Sequence, residues 1–153
     1  MIHLGPVNYL WKQLNKICDM EPFEMQHNLV KSDRQKREFQ GPEIKKLLNK
    51  LDELRTFLST QLHPFVDTLE KVKTVYKISH AISVDTSHRK ITADFKLNWI
   101  SMMTTYGMNM PLKVHIISEH LSEYFEMTRK TLRKVTDQVV ESAHHKVKKF
   151  FSS

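Results

Sequence analysis

Apolar residues recur along this chain at steps of three and four, the spacing that builds one face of an α-helix. In "GPVNYLWKQLNKIC" the positions are Val7, Leu10, Trp11, Leu14, Ile17 and Cys18. Pro6 suits a first helical turn there, where its missing N–H costs no hydrogen bond. Residues 19–41, "DMEPFEMQHNLVKSDRQKREFQG", mix periods and end in a charged run, which reads as a broken helix and a basic loop. The clearest helix is "GPEIKKLLNKLDELRTFL", opened by Gly41 and Pro42 and striped by Ile44, Leu47, Leu48, Leu51, Leu54 and Leu58. Pro64 starts a further segment with Phe65, Leu69, Val72, Val75, Tyr76 and Ile82 at helical spacing. "SVDTSHRK" then offers Asp85 or Ser87 as a helix cap. Ile91, Phe95, Trp99, Met102, Met103 and Tyr106 make the next stripe, and Gly107 is placed to end it. After "MNMP" come Val114, Ile117, Leu121, Tyr124 and Phe125. A last stripe runs through Leu132, Val135, Val139, Ala143, Val147 and Phe150, with Thr131 as its cap. The pattern predicts an all-α protein of about six amphipathic helices in an irregular bundle. It forms a single domain over 1–153 with a softer basic segment near 28–41, and no stretch reads convincingly as a strand.

Composition agrees with that picture. The chain has 153 residues, enough to bury a core, with 40% hydrophobic and 27% charged positions, a globular rather than a disordered balance. Only 3 Gly and 5 Pro interrupt it, which favours long helices. No apolar run approaches the roughly 18–20 residues of a membrane span. "MIHLGPVNYLWKQ" lacks the basic-then-apolar layout of a secretory signal. The expectation is a nuclear or cytoplasmic protein without a membrane partner. Cys18 is the single cysteine, so no internal disulfide framework exists, and its place on an apolar stripe favours packing over nucleophilic chemistry. Trp11, Trp99 and the methionines at 102, 103, 108 and 110 read as core and loop residues.

Charge changes the picture more. Lys plus Arg number 24 against 17 Asp plus Glu, a net +7. Such a surplus suits an anionic partner, nucleic acid first, and equally suits a soluble protein that is simply basic. The clusters are Lys31, Arg34, Lys36 and Arg37; then Arg129, Lys130, Arg133 and Lys134; then Lys146, Lys148 and Lys149.

Polar chemistry is sparser. On the last predicted helix Asp137, Glu141 and His144 fall near one another, flanking the apolar face. They could aim carboxylates into a cleft that holds Mg²⁺, or form a solvated helix edge with a local Glu–His contact. Glu24–His27 and Glu141–His144 are both Glu-x-x-His, the pairing used by di-iron bundles, though chance alone supplies such motifs in a chain this rich in both residues. His115 and His120 lie five apart, about 140° around a helix, which argues against a shared metal. No His-Glu-x-x-His, cysteine pair or Gly-rich phosphate loop occurs.

Four pieces in this order, "IHLGPVNYLWKQL", "REFQGPEIKKLLNKLDEL", "MPLKVHIISEHLSEYFEMT" and "VTDQVVESAHHKV", resemble the C-terminal half of proteins carried by transposable elements in invertebrate genomes. Those in turn resemble DDE-type transposases with a helical insertion. The resemblance implies a ribonuclease-H-like core in which three carboxylates bind two Mg²⁺ ions for strand cleavage and transfer. The last carboxylate there is a Glu on a helix after the insertion. Glu141 matches that catalytic and metal-binding role best, with Asp137 second, while His115, His120 and His144 match polar positions of unassigned role. Two features depart from the family: Arg129 stands where Gly usually follows "MT", and Asp137 where Glu is frequent. The family's two other catalytic Asp residues lie on strands upstream of "IHLG", and no strand-borne Asp pair is visible here. The expectation is a transposase-derived fragment, the helical insertion and last catalytic helix, without catalytic activity or cofactor of its own and retaining nucleic-acid binding. The alternative is a self-standing basic helical module that binds nucleic acid or a partner protein.

Overall fold

Proline and glycine set most of the helix boundaries. In the computed structural model, which describes residues 4–29 and 38–132, Pro6 lies in the first turn of α1 (Leu4–Asn15). Pro22, Pro42 and Pro64 occupy the first turns of α2 (Glu21–Gln26), α3 (Gly41–Leu48) and α5 (His63–Ser79). Those are the positions where a missing N–H breaks no helical bond. Between them come α4 (Leu51–Phe57) and a 3₁₀ turn (Thr60–Leu62). Then follow α6 (His88–Tyr106) and α7 (Leu112–Thr128). The described residues are all-helical and contain no strand. Gly107 ends α6 at φ 66°, the left-handed cap that glycine adopts at least cost. Asp85 accepts a 2.7 Å hydrogen bond from the Ser87 N–H ahead of α6, while the Ser87 side chain makes no cap bond.

The long leucine segment is not one helix. At Asn49 and Lys50 the backbone N–H groups reach back to Lys46 and Leu47 at 3.2 and 2.9 Å, a 3₁₀-type tightening that divides it into α3 and α4. All six stripe residues stay buried across the break, so the apolar period runs straight through the bend. The stripe also overreaches at two helix ends. Ile82 lies beyond α5 and is 86% exposed, and Ile17 lies beyond α1. Cys18 is half-buried at the core margin, with its thiol directed at the Asp19 carbonyl.

α5 is the central element, packed by α1, α3, α4 and α6 on different sides, with α7 laid against α6 and α1. Its surroundings explain why Phe65, Val66, Thr68, Leu69, Val72, Val75, Ile78 and Ser79 are all buried. Thr68 meets its polar needs internally, bonding to the Pro64 carbonyl and to Asn98 of α6. Trp11 and Trp99 are core residues, as expected. Trp11 packs on Phe23 and Phe39, and Trp99 packs on Tyr9 and Phe95. Each such side chain contributes on the order of 1.5–3 kcal/mol by leaving water. Met102 and Met108 are buried and Met103 and Met110 partly so.

Two polar clamps join distant segments. The Asn8 amide brackets the Phe39 backbone, donating to its carbonyl at 3.0 Å and accepting from its N–H at 2.8 Å. The loop after α6 is held through Asn109, whose carbonyl accepts from Trp99 Nε1 and whose N–H donates to the Tyr9 hydroxyl. Past α7 the chain is strapped to the end of α5. Leu132 N–H donates to the Ser79 carbonyl at 2.6 Å, Thr131 Oγ1 donates to the Ala81 carbonyl, and Leu132 is buried.

Candidate functional site

The nominated catalytic and metal-binding carboxylates and most of the nominated basic residues lie outside the described residues. That holds for the carboxylates Glu141 and Asp137 and for Lys31, Arg34, Lys36, Arg37, Arg133, Lys134, Lys146, Lys148 and Lys149. The same is true of His144 and of the second Glu-x-x-His motif. The first motif is described and does not look like a metal site. His27 stacks on Phe23 with ring centroids 4.3 Å apart, and Glu24 is buried at the same turn. Among the described residues no three His, Cys, Asp or Glu side chains converge as a metal would require. No described helix is long and apolar enough to cross a membrane.

Within the described residues, polar chemistry concentrates on the α6–α7 seam. The two helices run antiparallel, so partner numbers fall on one as they rise on the other. Arg89 grips both carboxylate oxygens of Glu126, Thr92 meets Ser122 at 3.0 Å, and Lys96 meets Glu119 at 2.5 Å. Arg89 holds the Glu126 carboxyl below the usual carboxylate range, helped by nearby His88 and Arg129. The Lys96 hydrogen bond does the same for Glu119, against an opposing pull from burial and with further help from His115 and His120. On the α4–α5 contact, hydrogen bonding to Asp67 raises Arg55, with Glu70 adding to it.

Buried His88 places Nδ1 3.0 Å from Ser122 Oγ, and its ring edge meets Phe125. A serine hydroxyl beside an imidazole has the reach of a nucleophile and its base. The setting here does not support that use. Ser122 sits in the middle of α7, where backbone N–H groups are committed to the helix and none can stabilise an oxyanion. Its hydroxyl is also shared with Thr92. The trio instead satisfies buried polar atoms and fixes the register of α6 on α7.

His115 and His120 both lie on α7. Their rings touch edge to face with centroids 5.3 Å apart. His120 Nδ1 also lies 3.3 Å from Glu123 Oε2. A shallow hollow of about 360 Å³ lies between α2 and α4, lined by Phe23, Gln26, His27, Glu53, Thr56 and Phe57.

The charge distribution is more informative than any single cluster. Residues 30–37 carry four basic groups against one acidic, and residues 133–153 carry five against two. Those two stretches therefore hold +6 of the net +7. The described residues hold fifteen basic groups against fourteen acidic, a balance of +1. The helical body is nearly neutral.

Comparison with protein-family models, with curated proteins and with solved structures finds no match. Sequence reasoning missed Asn8, because a lone asparagine within an apolar stripe carries no signal of its distant backbone partner. It also had no access to the Arg89–Glu126 and Lys96–Glu119 pairs, whose members lie 37 and 23 residues apart.

Proposed function

We propose that this chain is a transposase-derived helical module that binds nucleic acid through its basic segments and does not cleave DNA by itself. The observation that carries the reading is the concentration of +6 of the +7 charge in residues 30–37 and 133–153, beside a nearly neutral body. A chain that only needed solubility has no reason to segregate charge in this way. Segregated cations release counterions from a phosphate backbone and give affinity with little sequence preference.

Descent from a DDE-type enzyme rests on the four sequence pieces and on one structural detail. The resembling proteins usually have Gly at the position of Arg129. In this chain that residue caps α7 with φ 57°, the left-handed conformation in which glycine is the ordinary choice. Lack of cleavage follows from carboxylate number, since two-metal strand transfer needs three and the resemblance assigns one, Glu141. Mg²⁺ therefore belongs to the resembling family's reaction and not to a step of this chain. A nuclear location fits this reading.

The test is fluorescence anisotropy of a labelled 20-base-pair duplex, titrated with the purified chain between low and moderate salt. The expected result is binding whose logarithm falls linearly with log salt, and an intact duplex after incubation with Mg²⁺. Binding that ignores salt refutes the nucleic-acid reading. Metal-dependent cleavage that disappears in Glu141→Gln refutes the inactive one.

A further inference from the structure

The strap after α7 hangs on few contacts. The Thr131 hydroxyl donates to the Ala81 carbonyl at 2.8 Å, the Leu132 N–H donates to the Ser79 carbonyl at 2.6 Å, and the Leu132 side chain is buried. Just before it, Arg129 leaves α7 in the left-handed conformation, and residues 129–132 are not helical. Two hydrogen bonds and one apolar side chain make a small unit of structure, the kind that opens locally without global unfolding. Opening frees the Thr131 hydroxyl and leaves an unpaired segment able to lie extended in an enzyme cleft.

The sequence around that hydroxyl is cationic on both sides. Residues 127–135 read "MTRKTLRKV", with Arg129 and Lys130 ahead of Thr131, Arg133 and Lys134 after it, and no carboxylate in the stretch. Arg129 and Lys130 are exposed. The other described Ser and Thr hydroxyls outside the helices lack this setting. Ser59 and Ser83 have no Lys or Arg nearby in sequence, and Thr86 and Ser87 have cations only on their C-terminal side, with Asp85 ahead of them. A protein kinase whose substrate cleft is lined by carboxylates selects such a context by charge complementarity. A phosphate has no place in the closed strap. It carries about −2 charge and presents acceptor oxygens where the threonine O–H donated. Its neighbour there is the Ala81 carbonyl, itself an acceptor, just past the C-terminus of α5 and brought close to the C-terminus of α7. Both helix ends are negative poles, which repel an anion.

We propose that Thr131 is a phosphorylation site for a basophilic protein kinase, and that the phosphate holds the strap between α7 and α5 open. Thr131 Oγ1 attacks the γ-phosphorus of a nucleoside triphosphate as the bond to the β,γ-bridging oxygen breaks. The hydroxyl proton passes to the kinase's carboxylate base, and the nucleoside diphosphate leaves. Transfer occurs from the open strap, since the closed one commits the hydroxyl to Ala81 and buries Leu132. Once opened, the exposed Arg129 and Lys130 offer the phosphate charge-assisted partners in solvent. The switch is independent of whether the chain binds nucleic acid.

The experiment incubates the full chain with Mg²⁺, ATP and protein kinase C, which is directed by lysine and arginine, and in parallel with casein kinase, which is directed by acidic residues. Mass spectrometry maps the phosphate, and amide hydrogen exchange reads the Leu132 N–H. The expected result is phosphate on Thr131 from the first kinase and none there from the second. In the modified chain the Leu132 N–H should exchange about tenfold faster or more. Leu132→Ala keeps the hydroxyl and the cations but loosens the strap, so its initial rate of Thr131 phosphorylation should exceed the parent's by about threefold or more. Thr131→Val, treated with the same kinase, should show no change in Leu132 exchange on treatment. Absence of phosphate from Thr131 in both the parent and Leu132→Ala overturns the site. Equal modification of Thr131 by the two kinases overturns the charge-directed selection. Equal rates in the parent and Leu132→Ala overturn transfer from the open strap. Phosphate on Thr131 with Leu132 still protected overturns the unlatching, as does faster Leu132 exchange in treated Thr131→Val.

Discussion

Asn8→Ala gives the sharpest test of how this fold is held together. Asn8 is 6% exposed, Phe39 is fully buried, and the amide closes two hydrogen bonds to the Phe39 backbone across 31 residues of sequence. Truncation leaves a buried N–H and a buried carbonyl without these partners. Each lost hydrogen-bond partner of a buried group costs about 1–3 kcal/mol, so the expected loss is about 2–6 kcal/mol. For a chain of this size that lowers the melting temperature by roughly 5–15 °C. Thermal and urea unfolding followed by circular dichroism measure it. Asn8→Asp refines the test, because the introduced carboxylate accepts from the Phe39 N–H but repels the Phe39 carbonyl when ionised. Its folded-state pKa must therefore rise above the free value of about 3.9. A raised folded pKa means stability that is fully present below the unfolded pKa and lost as pH rises through the folded one. Asn8→Asp should then approach the parent protein near pH 3.5 and fall towards Asn8→Ala near pH 7. A loss below about 1 kcal/mol in Asn8→Ala, or a deficit in Asn8→Asp that does not change with pH, refutes the clamp.

Further outcomes follow from the same geometry. Arg129→Gly relieves the left-handed strain at φ 57° and should raise stability by about 1 kcal/mol, whereas Arg129→Val should lower it, both read from urea midpoints. Trp99→Ala empties the space between Tyr9 and Phe95 and frees the Asn109 carbonyl, and should cost about 3–5 kcal/mol in the same assay. The Glu119 carboxyl is held low chiefly by Lys96, so its stabilisation is present above the unfolded-state pKa and lost as pH falls through the folded one. Glu119→Gln should therefore lower stability near pH 7, converge with the parent at acid pH where the carboxyl is protonated in both states, and so flatten the acid limb of the stability–pH curve. Ser122→Ala should leave any solution activity unchanged while lowering stability by about 1–2 kcal/mol, as expected of a register pin and not of a nucleophile.

Periodicity alone determined the class of this protein. Apolar steps of three and four made the helices, prolines opened them, and Gly107 closed one. These are properties of a few neighbouring residues and are written locally in the chain. The same period concealed the bend between α3 and α4, because burial depends on which side a residue faces and not on whether the backbone ladder is continuous. It also extended two stripes past their helix ends, to Ile17 and Ile82, because a position on a face says nothing of whether a neighbour covers it. Net charge was legible at once, but its segregation became meaningful only beside a helical body whose acidic and basic groups nearly balance. Tertiary structure alone decided the clamp of Asn8 on Phe39, the pairing of Arg89 with Glu126, and the strap that lays the chain after α7 against the end of α5. Each joins groups whose meeting depends on how helices cross or how side chains lean, and no local pattern of residues encodes that.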